Sequence, residues 1–146
     1  MNVFPTEIKV NIKEYILGGN SYFCIRQNDT DVMQERWFCV KSTDGRMFFV
    51  YVNDRGKNKY LGYFYRNNVG TLKELYIKSK KAEADPSLAT PLIRVLNRLE
   101  NNNGVLWDKV KVVSDGRCSR CGRRITDYES LVYGIGPTCR KKMGLI

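Results

Sequence analysis

WFCVKSTDGRMFFVYV, residues 37–52, sets two runs of apolar β-formers, 37–41 and 47–52, on either side of Asp44-Gly45. Asp-Gly suits the positive φ angles of a type I′ turn, so the two runs are predicted to pair as an antiparallel hairpin. Downstream, the polar turn NDRGKN at 53–58 leads to a run at 60–65, and a second turn, Asn67 to Gly70, leads to a run at 72–77. Short β-forming runs separated by turn residues extend the hairpin into a meander. Upstream, the aromatic and β-branched run 22–26 reads as a further strand, and NDTDVMQE at 28–35 reads as loop. Residues 6–16 alternate, with Ile8, Val10 and Ile12 on one side and Lys9, Asn11 and Lys13 on the other. That period of two predicts a half-buried strand ended by Gly18-Gly19-Asn20.

One good helix follows the meander. Leu92, Ile93, Val95, Leu96 and Leu99 recur at helical spacing before Asn101-Asn102-Asn103-Gly104. Asp85-Pro86 could start it, but Pro91 would then remove an interior hydrogen bond at about 3 kcal/mol. Thr90 as cap with Pro91 at the first position avoids that cost, which predicts a helix at 91–101 with its apolar stripe on the sheet. Residues 105–113, around Trp107, alternate weakly and predict a last strand. The fold expected is α+β: an antiparallel sheet covered by one main helix over residues 1–113, with a small C-terminal module at 114–146.

The module is the chemically informative part. Residues 116–144 read GRCSRCGRRITDYESLVYGIGPTCRKKMG and carry Cys118, Cys121 and Cys139 among seven basic side chains. A C-x-x-C turn presents two sulfurs to one tetrahedral ion, and a third thiolate arrives from a distant segment, which points to a zinc site. Gly122 lets the backbone fold back around the metal. Thr126-Asp127-Tyr128-Glu129 fits a capping box and predicts a short helix at 127–133, and Pro137 predicts a second helical turn with Cys139 near its start. The chain has no histidine. The fourth ligand is therefore open among Cys24, Cys39, Asp115, Asp127, a water, or a group from another molecule. Cys24 and Cys39, beside Phe23 and Phe38, suit small apolar core roles.

The pattern Cys118-x-x-Cys121-Gly122-Arg123-x-Ile125-Thr126, then Glu129-Ser130, then Gly134-Ile135-Gly136-Pro137-x-Cys139 resembles a small zinc-module family of uncharacterised proteins common in bacteriophages and mobile elements. Tyr128 stands where a proline is frequent in that family. The resemblance implies a phage-type origin and a three-cysteine zinc site, and no established activity.

At 146 residues and 42% hydrophobic content the chain can bury an ordinary core. The residues after Met1 become charged within ten positions and no stretch approaches a membrane span, so a cytoplasmic protein is expected, in the host cell if phage-encoded. Five cysteines clustered as C-x-x-C point to metal rather than to disulfides. The net charge of +10 argues for an anionic partner. Residues 1–85 carry fourteen basic and ten acidic side chains, and residues 105–146 nine and four, so the excess gathers near the cysteines.

Arg117, Arg120, Arg123, Arg124, Arg140, Lys141 and Lys142 are the candidate contacts, to phosphates of DNA or RNA or to an acidic protein surface. Residues 55–81 interleave eight cations with Tyr60, Tyr63, Phe64, Tyr65 and Tyr76. Such residues can stack bases, but they commonly pack strands and keep sheet faces soluble. Zinc deaminases place H-x-E or C-x-E ahead of P-C-x-x-C, an order this chain lacks, so the reading is non-catalytic, with no small-molecule substrate. The function expected is nucleic-acid binding without sequence specificity; its rival is a phage inhibitor of a host defence protein with a purely structural zinc.

Overall fold

The computed structural model describes residues 6–29, 32–66, 72–78, 80–101 and 105–145, of which 29, 32, 33 and 72–78 are described in backbone only. Among them seven strands form one sheet: β1 (Thr6–Glu7), β2 (Asn20–Asp29), β3 (Val32–Lys41), β4 (Met47–Asp54), β5 (Lys57–Arg66), β6 (Leu72–Lys78) and β7 (Val110–Ser114). The order is β1-β7-β2-β3-β4-β5-β6, with each pair of neighbours antiparallel. The fold is α+β, and the meander β2 to β6 follows chain order. The expected turn Asn67 to Gly70 and the helix stop Asn102 to Gly104 lie outside the described residues.

The hairpin of residues 37–52 forms with Phe38 opposite Val52 and Lys41 opposite Phe49. Its turn differs from a type I′ turn, which needs positive φ at both central residues; Gly45 has φ 73°, and Asp44 is not in the left-handed region. Side chains close the loop instead. Asp44 Oδ1 accepts from the N–H groups of Arg46 (2.9 Å) and Met47 (3.0 Å), and Ser42 Oγ accepts from Gly45 N–H (2.9 Å). The Met47 and Arg46 donors hold the Asp44 carboxyl below the usual carboxylate range.

Three local expectations are corrected. Residues 6–16 are not one strand: β1 stops at Glu7, and Ile12–Ile16 form a short helix, α1. Ile12, Tyr15 and Ile16 fall at i, i+3 and i+4, so the same apolar residues that begin an alternation also make a helical face. The 28–35 stretch is strand on both sides, with Asp29 opposite Val32. The last strand is half as long as predicted, because Val110 N–H donates to Trp107 C=O and turns the chain before β7. Trp107 packs under guanidinium groups of Arg94 and Arg98, 5.7 and 5.0 Å from its ring centre.

The two helix starts weighed from sequence both exist. Asp85 accepts from Ser87 N–H and caps a 3-10 turn, Pro86–Ala89, and the α-helix α2 then runs Thr90–Asn101 with Pro91 in its first turn. A helix of twelve residues is near the length at which isolated helices are marginal. What holds α2 is burial of Leu92, Val95, Leu96 and Leu99, at about 1.5–3 kcal/mol for each fully buried side chain. They lie on the sheet face that carries Phe23, Phe38 and Val52 in one cross-strand row and Val40 and Val50 in the next. Tyr15 and Ile16 of α1 join that core, Tyr15 meeting Phe23 edge to face at 6.0 Å.

The core continues past Ser114. Cys118, Ile125, Ile135 and Cys139 belong to the same buried cluster as Ile8, Tyr15 and the sheet. Lys9 N–H donates to Val132 C=O (3.0 Å) and Asn20 N–H to Ser119 C=O (2.7 Å), so backbone bonds also join residues 114–146 to the sheet. Among the described residues no helix is long and apolar enough to cross a membrane.

Candidate metal centre

After β7 the chain folds into a tight knuckle. Arg117 and Arg124 form a β-bridge, Cys118 N–H donates to Arg123 C=O (2.8 Å), and Gly122 N–H returns to Cys118 C=O (2.9 Å). Gly122 is required by its φ of 78°, and a Cβ there would also push aside the Asn20 side-chain amide, 2.7 Å away. Two short helices follow, α3 (Tyr128–Leu131) and α4 (Pro137–Lys142). The capping box is shifted by one residue. Asp127, not Thr126, caps α3, accepting from Ser130 N–H at 3.0 Å and also from Ser130 Oγ. These bonds, the Ser130 hydroxyl first, hold the Asp127 carboxyl below its ordinary range. Pro137 opens α4 as predicted, with Gly136 as its cap and Cys139 in the first turn.

The knuckle and α4 bring Cys118, Cys121 and Cys139 together, with their Sγ atoms all within 4.8 Å of one another. Tetrahedral Zn–S bonds of about 2.3 Å would place sulfurs roughly 3.8 Å apart, so the triad needs little closing to hold a metal ion. The surroundings suit thiolate ligands. Burial works to raise the Cys118 pKa, but N–H donors of the knuckle and of Gly136 (3.4 Å) outweigh it and the net shift is downward. Cys139 is pushed up to about 11, by burial first and then by its neighbours Cys118 and Cys121. A cation among the three sulfurs would reverse that second effect. Three close cysteines could thus hold a metal ion, and soft thiolates are consistent with zinc.

The fourth-ligand candidates fare differently. Cys24 sits in the sheet between Trp37 and Val113, and Cys39 between Tyr22 and Tyr51. Burial pushes Cys24 up to about 11, a thiol held in its neutral form. The Asp127 carboxylate lines the cleft of the triad but is engaged as the α3 cap, and Asp115 pairs with Arg117 at 3.7 Å. Among the described residues the group in mutual reach of one ion is the three cysteines. Elemental analysis is expected to find one metal ion per chain, with the content unchanged in Cys24→Ser. Loss of metal from that variant would make Cys24 a ligand and displace the sheet role assigned to it.

Of the seven candidate cations, Arg117, Arg120, Arg123, Arg124, Lys141 and Lys142 are exposed. Arg123, Arg124 and Lys142 line an open cleft of about 520 Å³ together with the cysteines. Arg140 is the exception, buried at 6% exposure. Its guanidinium lies 4.3 Å from the Tyr133 ring centre and its Nη2 donates to Ser130 Oγ (2.9 Å). Arg140 therefore joins α4 to the Asp127–Ser130 cap rather than facing a partner. The run Cys-Arg-Lys-Lys hid this, because three adjacent cations read alike until the helix assigns them to different faces. The Gly136 N–H bond to Cys118 Sγ was also missed, although a Gly-Pro pair just before a cysteine could have suggested a turn closing on the other two sulfurs.

Residues 113–144 match a family of unknown function (DUF6011), a span that contains all three cysteines. Comparison with curated proteins and with solved structures gives no match.

Proposed function

We propose that the triad holds a structural zinc ion and that the exposed cations around it bind nucleic acid through its phosphates, without sequence specificity and without catalysis. The observation that carries this reading is that Arg123, Arg124 and Lys142 line the same cleft as the cysteines. Thiolates fix the knuckle against α4, and the cations are displayed on the rigid piece that results. Three thiolates on a dication leave one negative charge at the centre, so the outward field belongs to the arginines and lysines. Guanidinium forks suit pairs of phosphate oxygens, and the chain's +10 charge adds long-range attraction to a polyanion.

Affinity for an oligonucleotide should fall steeply with salt as counterions are released. The double variant Arg123→Ala, Arg124→Ala is expected to flatten the slope of log K against log salt by about two units, since each phosphate contact contributes roughly one, while zinc content stays at wild type. The resemblance to phage proteins supplies the competing outcome, an inhibitor of a host protein. Recovery of one protein in fixed ratio from nuclease-treated lysate, with no salt-dependent nucleic-acid binding, would replace the present reading.

A further inference from the structure

We infer that the sheet face opposite α2 is a stacking platform for single-stranded nucleic acid, continuous with the basic knuckle; this rests on the phosphate-binding reading above and names its substrate. The register places Tyr22, Cys39, Tyr51 and Tyr60 in one row across β2 to β5, and Lys41, Phe49 and Tyr63 in the next. Trp37 stacks on Tyr22 at 5.1 Å and 25°, and Tyr65, 42% exposed, meets Tyr63 edge-on at 5.6 Å. Apart from the buried Cys39 these side chains are half-buried or exposed. The described core residues of α1 and α2 cluster with the other face. Phe64, which the sequence grouped with these tyrosines, belongs to that core, stacked on Phe48 at 5.3 Å. Tyr76 lies outside the residues whose side chains are described.

Cross-strand aromatic pairs stabilise sheets, which is the ordinary use of such residues. Two further facts favour an occupant. A solvated face of an antiparallel sheet normally reads polar, whereas this one presents rings from four neighbouring strands. The face also carries cations, with Lys41 exposed in the second row and Arg26 and Lys111 on β2 and β7; their nearby carboxylates, Glu35 at 2.8 Å and Glu7 at 3.8 Å, pair with Arg26 and Lys111.

At one end the face meets the knuckle. Ser114 pairs with Phe23, so Asp115 follows at the level of Tyr22 at the end of the first row, and Asp115 holds Arg117 at 3.7 Å. Asn20, opposite Lys41, touches the position of Gly122. Phosphate-binding cations and ring faces thus form one surface. Only unpaired bases offer faces to such rings, which excludes an intact duplex from the platform.

The test uses the zinc-loaded full chain carrying Trp107→Phe, which leaves Trp37 as its one tryptophan. Oligo(dT) of about 12 nucleotides should quench Trp37 emission on binding, and a duplex of equal length should bind about tenfold more weakly. Tyr51→Ala with Tyr60→Ala should lower single-strand affinity about tenfold and leave duplex affinity unchanged, whereas Tyr51→Phe with Tyr60→Phe keeps the rings and the affinity. Tyr65→Ala, at an exposed ring, repeats the test where folding is not at stake. Equal affinity for both probes, with the ring variants behaving as wild type, would overturn the platform and leave the phosphate reading standing. Ring variants that lose single-strand binding while Arg123→Ala, Arg124→Ala keeps its full salt slope would sustain the platform and remove the module's role. Absence of binding to either probe would overturn both.

Discussion

Cys118→Ser is expected to remove the metal and to unfold the chain well beyond the knuckle. Cys118 is 1% exposed and belongs to the core cluster that includes Ile8, Tyr15 and the sheet. Structural zinc contributes apparent binding free energies of about 10–16 kcal/mol in small modules, comparable with the whole net stability of a domain, about 5–15 kcal/mol. A serine there keeps the N–H donors of the knuckle and of Gly136 but loses the thiolate that a metal ion needs. Ile125, Ile135 and Cys139 would then lose the cross-link that holds their segments in the core shared with Tyr15 and Ile8. Elemental analysis with thermal unfolding followed by circular dichroism checks both parts. A variant without metal that melts within about 2 °C of wild type would show that the sheet stands without the module.

Gly134→Ala is expected to destabilise by about 2–5 kcal/mol with the three cysteines untouched. Gly134 has φ +66°, a conformation costing other residues roughly 1–2 kcal/mol. A Cβ there would lie 2.3 Å from Tyr15 Cδ1 and 2.6 Å from Ile8 Cδ1, closer than real contacts allow. Tyr15 cannot move aside easily: it is fully buried, its ring meets Phe23, and its hydroxyl donates to Tyr22 C=O at 3.0 Å. Overpacking of this kind costs about 1–3 kcal/mol beyond the backbone term. Urea unfolding gives the measure. A loss under about 1 kcal/mol would mean that the module can shift off α1, and that the shared core is looser than its contacts imply.

The sequence alone determined those elements whose causes are local. The 37–52 hairpin, the helix after Thr90, the C-x-x-C-Gly knuckle and the helix opened by Pro137 each carry their strand period, helical period, turn residue or cap within a few positions. The cysteine triad was legible for the same reason, since C-x-x-C spacing brings two sulfurs together and Cys139 follows a proline that sets its helix. Local signals failed where two periods coincide, as at Ile12, Tyr15 and Ile16, or where neighbouring acceptors compete to cap one helix, as at Thr126 and Asp127.

Only the tertiary structure decided what depends on distant partners. Strand β7 inserts between β1 and β2, a pairing of residues 6–7 and 23–27 with 110–114 that no local pattern encodes. The bulge at Val50–Tyr51 and the registers across β2 to β5 decide which aromatics share a face, sending Phe64 inward and leaving Tyr51, Tyr60 and Tyr63 on the open side. Helix phase and burial turned Arg140 from a surface cation into a brace. The continuity of the core from the sheet into residues 114–146 likewise rests on Gly134 meeting Tyr15, a contact between residues more than a hundred positions apart, because packing responds to shape at the point of contact and not to distance along the chain.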